Sequence, residues 1–155
     1  MLKMICLDLD GTLCDTYSVP NWLEKLRAYD ASPYLVANPL CDMEQLSFLL
    51  EVAKHRGIEV RIITWLSKES NKEYDELVRL TKKAWLKAYN IPYDHFHGVA
   101  YGATKADSVR KYLESEDTAI LFDDNAKVRS GWHIGQAYDP TKCDICEVLK
   151  NILGL

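Results

Sequence analysis

Short apolar runs alternate with longer amphipathic segments along the chain. The runs at 2–9 and 118–122 are almost wholly apolar, and the run at 58–65 is rich in β-branched residues. Runs of this length and composition are typical of strands buried on both faces of a parallel sheet. Weaker strand candidates lie at 95–101 and 136–138. The pattern therefore predicts about five strands.

Helices are predicted between these runs. Asp42 begins a helix with Gln45 at the capping-box position, and Gly57 marks its end. Ser70 and Glu73 form a second capping box in front of a long helix. Shorter helices are predicted from 18 onward, at 105–113, at 126–130 and at 143–153, and the segment 31–40 is predicted to be a loop.

This alternation of strands and helices specifies the fold class. It predicts an α/β protein with a three-layer, doubly wound, mostly parallel sheet. The 155 residues fit one domain. We therefore expect a single domain over 1–155, with a small lid-like insertion at 15–40 after the first strand. In such sheets, ligands bind beyond the carboxyl ends of the strands.

Composition narrows the classes of partner. The net charge of -4 and the isoelectric point near 5.6 provide no basic field, so nucleic acid is disfavoured as a partner, although a local patch stays possible. The chain begins with a strand instead of a signal-like segment, and no apolar run approaches about 20 residues. We expect a cytoplasmic protein that does not enter a membrane.

Two carboxylates stand at the end of the first apolar run. Asp8 and Asp10 are two positions apart, so on a strand they would point to the same side. Burying one such charge without a partner costs several kcal/mol or shifts its pKa until it is neutral. A metal ion or a shared proton resolves this cost, and either solution implies a site.

Further polar residues follow the other predicted strands. Thr64 ends the second strand, Asp123 and Asp124 follow the fourth, and Lys105 begins the helix that leads into it. Because the carboxyl ends of parallel strands meet at one edge, we expect one cluster. Two like charges about 4 Å apart repel by roughly 4 kcal/mol at an effective dielectric near 20, so a cation must be present before an anionic ligand can enter. Oxygen ligands favour magnesium over zinc.

Four short motifs, in this order, resemble those of the haloacid dehalogenase-like superfamily of aspartyl phosphohydrolases. They are Asp8-Leu-Asp-Gly-Thr, Ile62-Ile63-Thr64, Lys105 and Phe122-Asp123-Asp124-Asn125. Four motifs in the expected strand context are a specific signal, and they span the chain. The resemblance implies the superfamily's Rossmann-like core, of minimal-cap or capless type. It also implies a magnesium-dependent phosphatase that hydrolyses phosphomonoesters through an aspartyl phosphate.

The resemblance implies catalytic roles for four residues. Asp8 would be the nucleophile that attacks phosphorus. Asp10 would protonate the leaving oxygen and then accept a proton from water. Lys105 would neutralise the nucleophile and the phosphate, with Lys68 as a rival for that role, and Thr64 would hold a phosphate oxygen.

Ligand contacts are implied for neighbouring groups as well. The main-chain amides near Leu9, Asp10 and Trp65 would share the phosphate with Asp8, Thr64 and Lys105. Magnesium would be held by Asp8, the main-chain carbonyl of Asp10, Asp123 and Asp124, the last directly or through water.

The insertion bears on the substrate. Its 26 residues, 15–40, suffice for a loop with one short helix but not for a cap domain. The site should be open, with aromatic side chains available to cover it: Tyr17, Trp22, Tyr29 and Tyr34. Such a lid could stack on a nucleobase. A nucleotide, another phosphorylated metabolite and a phosphorylated macromolecule all remain candidate substrates, and a homo-oligomer could close the site.

Two other functions use similar residues. A response-regulator receiver also combines acidic residues, a hydroxyl and a lysine in a doubly wound sheet. There the adjacent acidic pair comes early, whereas here the spaced pair is early and the adjacent pair late. A non-catalytic phosphate-binding or scaffold protein on the same fold is the remaining alternative, and the presence of Asp10 argues against it.

Overall fold

The structure is a computed structural model that describes residues 1–69 and 71–155. Five strands form one sheet in the order β3-β2-β1-β4-β5, and every neighbouring pair is parallel. This confirms the predicted α/β class and the strand number. The strands are β1 (Leu2–Leu7), β2 (Glu59–Trp65), β3 (His95–Val99), β4 (Thr118–Phe122) and β5 (Ala137–Tyr138).

The central strand β1 fills the core on both faces of the sheet. Met4 and Cys6 belong to the apolar cluster on one face, and Ile5 and Leu7 belong to the cluster on the other. All four side chains are fully buried. Successive strand residues point to opposite faces, so a strand covered on both faces needs an unbroken apolar run.

Helices cover both faces of the sheet. One face carries the long helices, whose apolar residues join the cluster of Ile5 and Leu7; the other carries two 3₁₀ turns and a short helix against Met4 and Cys6. The helices are α1 (Trp22–Arg27), α2 (Ser32–Val36), α3 (Met43–His55), α4 (Lys72–Ala88), α5 (Ala126–Ser130) and α6 (Ile145–Leu153), with 3₁₀ turns at Thr16–Ser18, Lys105–Ser108 and Arg110–Tyr112.

Side-chain caps begin the two longest helices. The carboxylate of Asp42 accepts a hydrogen bond from the Gln45 amide at 3.0 Å, as the sequence predicts for α3. At α4 the cap is Asn71, whose side chain accepts from the Tyr74 amide at 2.9 Å. The predicted cap, Ser70, lies outside the described residues.

Two predicted elements differ from the structure. The helix expected at 105–113 is a pair of 3₁₀ turns. There the Ser108 hydroxyl donates to the Lys105 carbonyl at 2.7 Å, a local bond that competes with helical pairing. The loop expected at 31–40 contains α2. Pro33 lies in its first turn, where a missing amide hydrogen costs nothing.

The insertion rests on α4. Ala31 and Tyr34 form a small apolar cluster with Tyr74 and Val78 of that helix. Burial of these apolar side chains holds 15–40 beside the carboxyl edge of the sheet. None of the described helices is long and apolar enough to span a membrane.

Candidate active site

The sheet order places the candidate site at the end of β1. This strand pairs with β2 on one side and β4 on the other, which is where a doubly wound sheet opens a crevice for ligands. The Asp8 amide still pairs with the Phe122 carbonyl at 3.0 Å. Asp8 and Asp123 therefore leave adjacent strands side by side.

Gly11 turns the chain away after the two early aspartates. Its φ of +78° is in the left-handed region, which favours glycine. A Cβ at this position would also overlap Oδ2 of Asp124 and crowd the ring of Tyr17. Both the turn and the close approach of Asp124 therefore require glycine here.

Lys105 lies between two of the predicted site residues. Its Nζ is 2.8 Å from Asp8 Oδ1 and 2.7 Å from Asp123 Oδ2, and the residue is only 3% exposed. Burial alone would lower the pKa of Lys105, but the two carboxylates outweigh it and hold the pKa above its ordinary value. Lys68 is exposed, and its Nζ lies 5.8 Å from the centre of the Tyr101 ring. The geometry favours Lys105 over Lys68 as the partner of the aspartates.

Three carboxylates converge beside this lysine. Asp8, Asp123 and Asp124 each offer an oxygen within 4.8 Å of the others. Burial and then the negative charge of Asp8 raise the pKa of Asp123 to about 6 and that of Asp124 to about 7. Thr12 joins the group by donating to Asp8 Oδ2 at 3.0 Å. An all-oxygen donor set crowded with negative charge fits a hard divalent cation.

Asp10 directs its carboxylate to other partners. Its Oδ1 accepts from the Thr16 hydroxyl at 2.6 Å, and its Oδ2 accepts from Lys82 Nζ at 2.9 Å. The side chain is 18% exposed at the edge of the cavity described below. The two early aspartates, although close in sequence, thus have separate lysine partners.

Lys82 is a site residue that sequence reasoning missed, as it missed Thr16. It lies on α4 and is 2% exposed. One signal was available in the sequence, because Lys82 follows Val78 by four positions and precedes Trp85 by three, on the buried stripe of the helix. A lysine on such a stripe needs a buried acceptor.

Some of the residues predicted to contact phosphate line the cavity, and others are buried beneath it. Trp65 lines the cavity, but Thr64 is fully buried and its hydroxyl accepts from Lys82 Nζ at 2.7 Å. Leu9 is also fully buried, and its carbonyl accepts from the amides of the following turn. It stays a prediction that Thr64 contacts phosphate directly, and so does the predicted contact of phosphate with the amides near Leu9, Asp10 and Trp65.

A cavity of about 600 Å³ opens over the aspartates. Tyr17, Trp22 and Tyr34 of the insertion line one part, and Trp65 and Tyr101 line another. Tyr29, predicted as a further cover, instead packs edge-on against Tyr74 with ring centres 5.2 Å apart. Exposed cations also line this cavity: Arg27, Lys68 and Lys127.

The chain matches no family model and no curated protein, but solved structures share its fold. A D,D-heptose 1,7-bisphosphate phosphatase from B. bronchiseptica, complexed with magnesium and phosphate, has a TM-score of 0.59 at 11% identity over 99% of both chains. A haloacid dehalogenase-like hydrolase from Streptococcus pneumoniae has a TM-score of 0.56 at 18% identity, over 97% of this chain and 98% of its own.

A chain of the Pnkp1/Rnl/Hen1 RNA repair complex is also similar, with a TM-score of 0.58 at 19% identity. The match covers 90% of the present chain but only 42% of that one. These likenesses define the class of fold. The chain has the haloacid dehalogenase-like fold, as its four motifs predicted.

Proposed function

We propose that the protein is a magnesium-dependent phosphomonoesterase that forms an aspartyl phosphate on Asp8. One observation carries the proposal: Lys105 binds Asp8 and Asp123 at the carboxyl edge of the sheet, with Asp124 converging on the same point. A buried nucleophile of this kind is held in place by charge partners and lies open to the cavity. The phosphatase neighbours share this fold.

The reaction has two displacements at phosphorus. In the first, an Asp8 carboxylate oxygen bonds to phosphorus, the bond to the leaving oxygen breaks, and Asp10 gives that oxygen its proton. In the second, water attacks the phosphorus of the aspartyl phosphate and passes a proton to Asp10. The bond from phosphorus to Asp8 then breaks, which releases inorganic phosphate and restores both carboxyl groups.

The residues that would hold magnesium are Asp8, the Asp10 main-chain carbonyl, Asp123 and Asp124. Three carboxylates carry a charge of -3, which one divalent cation and Lys105 bring to zero. When bound, the ion neutralises the phosphoryl oxygens and orients them for in-line attack. Lys105 supplies a second fixed positive charge on the same side of the phosphate.

The cavity suggests the chemistry of the leaving group. Aromatic walls from Trp22 and Tyr101 suit a planar ring, and the exposed Arg27 and Lys127 suit a second anionic group. A nucleoside phosphate has the planar ring, and one at the end of an oligonucleotide also has a second anionic group in the adjoining phosphodiester. We place it first among the candidate substrates, ahead of sugar phosphates and phosphopeptides. One neighbour belongs to an RNA repair complex, which supports including oligonucleotides.

The test is phosphate release from a panel of these phosphomonoesters, with magnesium and with a chelator. We expect release in magnesium only. Asp8→Asn should abolish it, whereas Asp107→Asn, in an exposed ion pair outside the site, should retain it. Borohydride should trap the intermediate by reducing the aspartyl phosphate, so that mass spectrometry finds a modified residue at position 8.

The alternative is a non-catalytic phosphate-binding or scaffold protein on the same fold. Full turnover by Asp8→Asn would refute the mechanism. Binding of phosphate without magnesium-dependent release from any substrate would favour the alternative instead. Cytoplasmic location and homo-oligomer formation stay proposals, and sedimentation of the purified protein tests the second.

A further inference from the structure

The geometry points to Lys82 as a positioning residue that orients Asp10 for proton transfer. This inference rests on the phosphatase function proposed above. Lys82 does not belong to the four sequence motifs, and it lies on α4, outside the segments that carry them. It acts on the reaction through Asp10, so the residue that exchanges the proton remains Asp10.

All three donors of the Lys82 ammonium group have acceptors at the site. Nζ lies 2.9 Å from Asp10 Oδ2, 2.7 Å from Thr64 Oγ1 and 2.9 Å from the Trp65 carbonyl oxygen. An ammonium group has three hydrogens and no acceptor capacity, so these bonds use it completely. The ammonium therefore has one defined position, joined at once to Asp10 and to the end of β2.

Each carboxylate oxygen of Asp10 accepts a hydrogen bond from a different residue. Lys82 binds Oδ2, and the Thr16 hydroxyl binds Oδ1 at 2.6 Å. With both oxygens bound, the carboxylate plane cannot rotate without breaking a charge-assisted hydrogen bond. This constraint fixes the direction from which Asp10 meets the leaving oxygen and, later, the attacking water.

The insertion closes over the same lysine. Lys82 Nζ lies 4.5 Å from the centre of the Tyr34 ring, and Tyr34 is itself buried on α2. A cation over an aromatic face is attracted by the ring, more so where water is excluded. Lys82 therefore joins three parts of the molecule at Asp10: the insertion, α4 and the end of β2.

A purely structural role is the competing explanation. Burying an ammonium group is costly without partners, and the ion pair could serve only to fix α4 to the sheet. The two explanations differ in one respect. A structural role affects all substrates alike, whereas a role through Asp10 matters only where the leaving oxygen needs a proton.

The experiment compares two esters that differ in their leaving group. Phenyl phosphate releases a basic phenolate that needs protonation, whereas 2,4-dinitrophenyl phosphate releases an anion that does not. kcat/KM reports phosphoryl transfer to Asp8, the step in which the leaving oxygen departs. Lys82→Met should lower kcat/KM for phenyl phosphate by about 100-fold, the loss expected from misplacing a catalytic group by about 1 Å. The loss on the dinitrophenyl ester should be smaller by at least about tenfold.

A double-mutant cycle isolates the pathway through Asp10. In an Asp10→Asn background, Lys82→Met should have little further effect on phenyl phosphate, because the group it positions no longer transfers a proton. Lys87→Met is the matched control, since Lys87 is exposed on the same helix, and it should match wild type on both esters. Lys82→Gln, which keeps a hydrogen-bonding group without the charge, serves as the second variant.

The outcomes separate the two proposals. Wild-type protein that releases phosphate in magnesium from neither ester, and from no phosphomonoester of the panel above, would refute the phosphatase function and, with it, the role of Lys82. Active wild type with equal losses on both esters, or with additive losses in the Asp10→Asn background, would overturn only the role of Lys82. Failure of both Lys82 variants to fold would make the residue structural and would overturn it too.

Discussion

Replacing Lys105 with Met removes a buried positive charge and leaves two carboxylates facing each other. The substitution keeps most of the side-chain volume, so the change is mainly electrostatic. Nζ lies 2.8 Å from Asp8 and 2.7 Å from Asp123. Each contact corresponds to about 6 kcal/mol of attraction at an effective dielectric of about 20. Much of this offsets desolvation of the three charges, so we expect Lys105→Met to lower the free energy of unfolding by about 3–5 kcal/mol.

Denaturant unfolding with chelator and with magnesium measures this change. The assay is run at a pH about one unit above the Asp124 pKa of about 7, where the carboxylates are charged. Magnesium stabilises the folded state according to its affinity. Because the Lys105 ammonium repels a cation held by the same aspartates, magnesium should stabilise Lys105→Met more than it stabilises wild type.

Lys68→Met is the control for this prediction. Lys68 is exposed, so its loss should change the unfolding free energy by no more than about 0.5 kcal/mol. Two results would refute the reasoning: unchanged stability of Lys105→Met in chelator, or a smaller magnesium effect in Lys105→Met than in wild type.

Three further predictions concern Gly11, pH and His97. Gly11→Ala should lower the unfolding free energy by more than about 2 kcal/mol and weaken magnesium binding, because φ is +78° and the new Cβ overlaps Asp124. Magnesium affinity, measured by calorimetry, should rise with pH through the Asp123 and Asp124 pKa values of about 6 and 7. Burial and a neighbouring guanidinium lower the pKa of His97 to about 4 from 6.5, so His97→Gln should reduce the stability lost as pH falls through that interval.

Each of these has a defined contrary result. Gly131→Ala is the control for Gly11, since its φ is negative and the nearest atom to a new Cβ is 3.6 Å away; equal losses in both variants would contradict the argument. In chelator, the folded state binds more protons at Asp123 and Asp124 than the unfolded state between about pH 4 and 7. The contribution of these two residues to the free energy of unfolding should therefore fall as the pH rises through that range. A pH-independent magnesium affinity, or identical acid unfolding of His97→Gln and wild type, would be evidence against the assigned environments.

Strands were predicted more accurately than the short helices. The runs behind β1 and β4 are almost wholly apolar, and the run behind β2 is rich in β-branched residues; both patterns are typical of strands buried on both faces. The segments at 31–40 and 105–113 were predicted wrongly as a loop and one helix. The conformation of 105–113 depends on a local hydrogen bond from the Ser108 hydroxyl, and that of 31–40 depends on packing against the surface of α4.

The sequence by itself determined the parallel sheet and the edge at which its polar residues collect. Asp8, Asp123 and Lys105 could be placed there because strand ends meet by topology, whatever the side-chain details. Only the tertiary structure decided which charge faces which. Lys105 binds Asp8 and Asp123, whereas Asp10 binds Lys82, a residue 72 positions away in the sequence. The buried stripe of α4 indicates that Lys82 needs an acceptor, but the identity of that acceptor depends on how α4 packs on the sheet and the insertion, which long-range burial decides.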